Sequence, residues 1–562
     1  MKAAGMTATD RTGQSRPALR WGGRALVLLW LAVAAGTYVG HPGSPWVLTA
    51  FHLAFAAMLA LLPRRPRVDA YSFLAIFLFL GFWAKFVAHQ WFRYPYIEPI
   101  GDFAQRPEQW DRALAAATAA AVGVALFRAV QLGWLRHRAG LAVLPLSMPS
   151  LAVPAWYRRA PGWTWAGLTV AVGLFYLANY HYAFFVTGVN ARIVLPFKLN
   201  AIFAWTAYCG IAALVMLLAD WEQQRRPNRL WPLVIALSVL GVVMSASMSS
   251  RASALFVFGA LAMASLAHGR IAPSRWWRNG GWKWLPVMAA AFAASLVAVS
   301  AIRLTLYKVA DPNAPAAATP PAQPAIDAGA APDATSNAPA NAPANAISAP
   351  AVNASPAPAA ATQYVLPASA SAASTDDSAP AIAVAPVAQQ RLQMTPSNML
   401  RQVMLLTIDR WIGMEGMMAV ASSDRLGLPL LREGLTEDPA RGVHAVFQRL
   451  AHSVYAYQPD FTYLTLPGFA TVLYYSGSLL VVCLGMFAVC ALICWLDGLA
   501  LRATGSRLLT AWVGLLLANA VCQMSFPYLA LVFAVLTGLS LIGFWLLGHI
   551  GRGEPRTVAQ HA

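Results

Sequence analysis

Residues 231–268 read WPLVIALSVLGVVMSASMSSRASALFVFGALAMASLAH, an apolar run interrupted once, by an arginine set among serines. On each side of Arg251 lie about 17 mostly apolar residues, close to the roughly 20 that a helix needs to cross a bilayer core. The stretch therefore reads as two spans joined by a tight turn. The same measure, applied along the whole chain, gives about twelve candidate spans. They lie near 25–41, 46–62, 70–89, 113–135, 165–187, 199–219, 231–248, 252–268, 285–306, 471–496, 508–526 and 528–549. Composition agrees: of 562 residues 58% are hydrophobic and 11% charged, and the mean hydropathy of +0.54 lies well above the soluble range. The expected fold is all-α, a polytopic membrane helical bundle of about twelve transmembrane helices with one large loop outside.

Basic residues orient this map, since cytoplasmic loops retain Lys and Arg. Arg11, Arg16, Arg20 and Arg24 precede the first span, and every second connection is basic: Arg64, Arg65 and Arg67; Arg136, Arg138, Arg158 and Arg159; Arg225, Arg226 and Arg229; Arg270, Arg275, Arg278 and Lys283; Arg502 and Arg507. Both termini are thus expected in the cytoplasm, with 41–45, 90–111, 188–198, 249–251, 307–470 and 527 outside. The net charge of +18 follows from topology, and argues for anionic inner-leaflet lipid as the partner and against nucleic acid. The first apolar stretch follows a polar tail of about 20 residues and lacks a small-residue cleavage site, so it is expected to stay as a span. Cys209, Cys483, Cys490, Cys494 and Cys522 all fall within spans, which leaves the outer loops without a disulfide framework. Two thiols on one helix face, Cys490 and Cys494, lack the further ligands of a metal site, and none is expected.

Four segments follow. Residues 1–307 form an N-terminal membrane bundle. Residues 308–390 are rich in Ala, Pro, Asn and Ser, as in NAPANAPANAISAPAVNASPAPAAA at 337–361, a composition too poor in bulky side chains to offset its chain entropy and expected to be a disordered linker. Residues 391–470 differ. Here TPSNMLRQVMLLTIDRWIGMEGMMAVASSDRLGLPLLREGL at 395–435 puts a cap before an apolar series at Met399, Val403, Leu406 and Trp411. That spacing predicts a helix on or just above the bilayer. ARGVHAVFQRLAHSVYAYQPDF at 440–461 adds a second short helix with His444, Arg449 and His452. Such a segment suits a polar ligand held at a membrane surface; an amphipathic plug is the other reading. Residues 471–562 supply the last spans and a cytoplasmic tail.

An arginine at the outer end of a membrane helix is costly unless it snorkels or meets an anion. At Arg251, the hydroxyls of Ser245, Ser247, Ser249, Ser250 and Ser253 and the N–H groups of the helix that begins there would suit a phosphate. Basic residues persist in other outer connections against the positive-inside bias: Arg192 and Lys198 in GVNARIVLPFKLN, and Arg303 and Lys308 after the ninth span. Together these could bind a diphosphate, which guanidinium groups grip in a fork. Lys85 and His89 lead into QWFRYPYIEPIGDF at 90–103, which carries Arg93, Glu98 and Asp102 beside aromatic rings, the mixture found on sugar-binding surfaces and equally in an interfacial aromatic belt.

The serine-flanked arginine of SMSSRASALFVFGAL resembles the SGSRG hairpin of O-antigen polymerases and ligases. LPGFATVLYYSGSLLVVCLGMF at 466–487, after the large loop, is similar to the corresponding region of oligosaccharide repeat-unit polymerases of the Wzy type. The tether is unusual for that family, and the arginine-x10-glycine spacing of some polymerases is not met at Arg192 or Arg251. The resemblance implies a glycosyltransferase-C-like membrane architecture in the bacterial inner membrane. It also implies polymerisation, on the periplasmic face, of polyprenyl-diphosphate-linked oligosaccharide into O-antigen, capsule or exopolysaccharide. No cofactor or metal is implied, and no DxD tripeptide occurs in the outer loops. A chain-length regulator and a flippase are the partners implied. In this reading Arg251, Arg192, Lys198 and Arg303 hold the diphosphate, and Arg410, Trp411, Glu415 and Arg93 face the glycan. His452 is the first choice for general base, with His444, Glu433 and Glu98 in reserve. An O-antigen ligase differs only in its acceptor. A secondary transporter would show two similar halves around a central cytoplasmic loop, which this chain does not.

Overall fold

The computed structural model describes residues 16–63, 69–93, 98–140, 153–186, 199–226, 231–267, 281–306, 411–437, 444–452, 466–523 and 526–550, together with Tyr96, Ile193 and Leu195. The 308–390 linker lies outside them. No strand occurs among the described residues. The helices are α1 (Arg16–Thr37), α2 (Pro45–Ala60), α3 (Ala70–Phe92), α4 (Pro107–Gly140), α5 (Ala155–Arg159), α6 (Pro161–Tyr182), α7 (Leu199–Arg225), α8 (Trp231–Met248), α9 (Arg251–Ala267), α10 (Leu285–Leu306), α11 (Met414–Ala421), α12 (Leu428–Thr436), α13 (Val446–Leu450), α14 (Phe469–Tyr474), α15 (Leu479–Thr504), α16 (Arg507–Cys522) and α17 (Pro527–His549).

Among the described residues seven helices are long and apolar enough to cross a membrane: α3, α4, α7, α8, α10, α15 and α17. Four shorter apolar helices fall in α1, α2, α9 and α16. The remaining expected span, α6, has 22 residues but is diluted by Trp, Tyr, Asn and His. The hairpin of the opening stretch forms as expected, with α8 ending at Met248 and α9 beginning at Arg251. The span expected over 471–496 does not. Its first turns are the separate helix α14, and the long helix starts eight residues later. The reason is the YSGS sequence: Gly477 takes a left-handed φ of +69°, and the Ser478 hydroxyl then accepts from the Val481 N–H at 3.4 Å to start a new helix.

The chain separates into two units, residues 1–299 with 390–562, and residues 300–389. The described parts of 391–470 thus belong with the membrane helices. The helix expected from Met399, Val403, Leu406 and Trp411 lies outside the described residues apart from Trp411; the short helix that follows, α11, has all eight residues buried. The cause is its composition: MEGMMAVA is apolar on every side but one, so it packs inside and has no wet face to present.

Helix registers order the ends of the bundle. Gly514 of α16 faces Ala70 at the start of α3, while Leu78 and Phe82 line one cavity with Val521 and Cys522, so α3 and α16 run parallel. Phe256 of α9 meets Tyr208 at 6.5 Å, whose hydroxyl accepts from Asn519 at 3.3 Å, whereas Gly259 lies against Leu515. α9 therefore runs against α16. The Lys85 part of α3, the Cys522 end of α16 and the Arg251 start of α9 consequently point to one end. The other end is pinned by Asp69, which caps α3 through the Ser72 N–H (2.9 Å) and receives Arg128 of α4 at 3.1 Å.

Candidate functional site

At the end shared by Lys85 and Arg251, helix α3 widens into a π turn over Phe79–Ala84, a local defect that often accompanies a site. Gly81 lies in that turn. The Ile412 carbonyl oxygen sits where a Gly81 side chain would begin, with its carbon 2.9 Å from that point, so only glycine lets the backbone of 411–413 lie directly on the helix. One turn on, Lys85 is 0% exposed. Its ammonium donates to the Trp411 carbonyl at 2.9 Å and forms an ion pair with Glu415, itself 3% exposed.

A lone lysine in an apolar helix is tolerated when a partner is built for it. Here the partner arrives on a segment more than three hundred residues away in the chain. Burial pushes the Glu415 carboxyl up to about 7, against the pull of Lys85, and the Glu98 carboxylate adds to the rise. Glu98 comes from the 98–106 connection, half-buried. Just before that connection, Tyr96 stacks on His89 with ring centres 4.0 Å apart.

The connection is tied to α13 by the Gly101 N–H, which donates to the Ala451 carbonyl at 3.1 Å. Beside that bond, His452 Nε2 stands 3.0 Å from Asp102 Oδ1. The His452 side chain is 61% exposed and is held with a left-handed φ of 50°. Arg449 reaches Glu433 of α12 at 2.6 Å, and the Glu437 carboxylate accepts from the Val446 N–H at 2.7 Å to cap α13. The 98–106 connection and the short helices α12 and α13 are thereby joined.

Of the residues expected from sequence, Glu98, Trp411, Glu415, Glu433 and His452 are gathered in this assembly. Arg93 ends α3, exposed, with φ 51°, and His444 is exposed at the approach to α13. Arg251 opens α9, and Arg303 lies near the end of α10. Two of the serines around Arg251 are engaged: Ser245 Oγ accepts from the Ala254 N–H at 3.2 Å, using one amide of the helix start. Ser247 Oγ donates to the Tyr176 carbonyl at 3.0 Å and accepts from Asn179 at 2.9 Å. Arg192, Lys198 and Arg410 lie outside the described residues. Sequence reasoning left Lys85 and Asp102 out of the site, although an isolated lysine inside an apolar run was a signal for the first. Among the described residues no cluster of three or more His, Cys, Asp or Glu could hold a metal ion.

The fold and site define an all-helical protein with membrane-length helices and a polar assembly over one end of the bundle. No family model, no curated protein and no solved structure matches the chain.

Proposed function

We propose that this protein polymerises polyprenyl-diphosphate-linked oligosaccharide repeat units into surface polysaccharide on the periplasmic face of the bacterial inner membrane. The observation that carries the reading is the His452–Asp102 pair. It provides an exposed imidazole, oriented by a carboxylate, on the segment where the resemblance expects a base. Asp102 engages Nε2 and leaves Nδ1 for the acceptor hydroxyl, a division of labour common to histidine bases.

In the proposed reaction the acceptor hydroxyl of one lipid-linked unit attacks the anomeric carbon of the growing glycan. The bond from that carbon to the diphosphate oxygen breaks, the glycan passes to the acceptor, and polyprenyl diphosphate leaves. His452 takes the hydroxyl proton. Arg251, with Arg192, Lys198 and Arg303, is assigned to the negative charge that develops on the leaving group, a role worth about 3 kcal/mol for a well-placed donor. Twelve spans, cytoplasmic termini and an external 308–470 segment belong to the same proposal.

The test is the ladder of lipid-linked glycans in a polymerase-null strain complemented with variants at equal protein levels. Arg251→Ala, Arg251→Lys and His452→Ala should each leave single repeat units, because lysine lacks the planar fork. Normal ladders from Arg251→Ala and His452→Ala would overturn the proposal. A ladder that depends on another gene, with loss only of transfer to lipid A-core, would assign the chain to ligation.

A further inference from the structure

The position of Glu415 raises a question that the glycan chemistry does not answer. Lys85 is a cation at the end of the bundle to which the anion-binding reading assigns the diphosphate, yet it is sealed from solvent. What seals it is an anion and a carbonyl dipole from the chain itself, the Glu415 carboxylate and Trp411 C=O. We infer that Glu415 holds Lys85 as an internal stand-in for a diphosphate, so that Lys85 becomes a diphosphate-binding residue when the 411–415 segment withdraws from α3. This rests on the proposed function, and names a regulatory contact and a further binding residue of that same site.

Three features support it. The contact is made by a short segment, 411–415, that ends in the first turn of the eight-residue α11, and not by two spanning helices. The interlock at Gly81 is backbone on backbone, with no side chain threaded through the helix to hold it. The groups that face Glu415 also set the balance of charge. Lys85 faces it from α3, with His89 a turn further on; Tyr96 and Glu98 face it from the 98–106 connection and its approach; α14 brings the Thr471 hydroxyl 3.2 Å from where a Gly416 side chain would begin. Glu98 opposes the Glu415 charge, and burial lifts the carboxyl to about 7.

The experiment uses the full-length protein in lipid nanodiscs with two probes, a short prenyl diphosphate and inorganic pyrophosphate. Glu415→Gln should bind the prenyl diphosphate roughly tenfold more tightly than wild type, the scale of one freed charge-assisted contact. Lys85→Met in the Glu415→Gln background should erase the gain, and Lys85→Arg in that background should keep it, which separates loss of the cation from loss of folding. A gain for the prenyl compound alone assigns the site to a lipid-linked headgroup, and an equal gain for pyrophosphate assigns it to the free anion. If Glu415→Gln binds no better than wild type, or Lys85→Met leaves its gain intact, the inference is wrong. Binding is measured without glycan, so these outcomes are separate from the ladder that tests polymerisation.

Discussion

Replacing Gly81 by alanine should undock residues 411–421. The new methyl would stand 2.9 Å from the Ile412 carbonyl carbon and closer still to its oxygen, where carbon atoms ordinarily keep more than about 3.5 Å. The obstacle on both sides is backbone, so no flexible side chain can swing away. Either the π turn of α3 must tighten or 411–413 must lift, and lifting by an ångström stretches the 2.9 Å bond from Lys85 to the Trp411 carbonyl beyond hydrogen-bonding range. Overpacking of about 1–3 kcal/mol and loss of a bond to a charged donor, about 1.5–3 kcal/mol, together give roughly 3 kcal/mol when part of the strain is relieved. That is about a hundredfold rise in the open population. The assay is amide hydrogen exchange of 411–421 in nanodiscs, with Gly133→Ala as control because no neighbour lies within 4 Å of its substituent position. Protection of 411–421 in Gly81→Ala within about twofold of wild type would refute the interlock, since the expected change is far larger.

Two further outcomes follow from the charges. Glu415, raised from its ordinary 4.5 to about 7, holds a proton between those values in the folded chain but not in the unfolded one, so falling pH favours the folded form in that window. The attraction to Lys85 exists only when the carboxyl is ionised; the deficit of Lys85→Met relative to wild type, about 3 kcal/mol above pH 8, should therefore shrink below about pH 7, read as exchange of 411–421 at matched pH. A deficit equal at about pH 6 and pH 8.5 would show that the pair is not the source. Alkaline phosphatase fused after Ser348 should be active in intact cells, because the basic loops alternate on either side of that position; an inactive fusion there with active ones in 136–164 would invert the topology.

Hydropathy located the helices because a span is a property of contiguous residues. Trp231–Met248 coincides with its sequence limits for that reason. The error at 471–496 has an equally local cause: averaging over a window cannot see a two-residue stop such as Gly477–Ser478, whose effect is conformational. The site was legible in residue types and not in pairings. His452 could be picked as a candidate base, but the Asp102 that orients it lies on a distant connection, and Lys85 meets the Trp411 carbonyl across 326 residues of chain. Only the docking of 411–415 on α3, and of α13 on the 98–106 connection, creates those pairs. The burial of α11 shows the same limit, since MEGMMAVA has too few polar residues to reveal which surface receives it.

Two different devices hold 411–415 on α3, and they separate by their response to pH. The Gly81 contact is one of shape: an excluded methyl and a carbonyl do not titrate, so undocking by Gly81→Ala should be nearly constant with pH. The Lys85–Glu415 contact is one of charge, and its strength follows the carboxyl through about 7. A segment held by shape alone would stay closed at every pH, and one held by charge alone would need a larger polar interface inside a bundle that has little polar surface to offer. Combining them puts the segment in register with the glycine and leaves the final hold to the Lys85–Glu415 ion pair. In the proposed opening the anion paired with Lys85 is exchanged with the backbone still seated, and the segment lifts afterwards. Glu415→Gln should accordingly alter anion binding more than it alters exchange of 411–413, while Gly81→Ala should do the reverse.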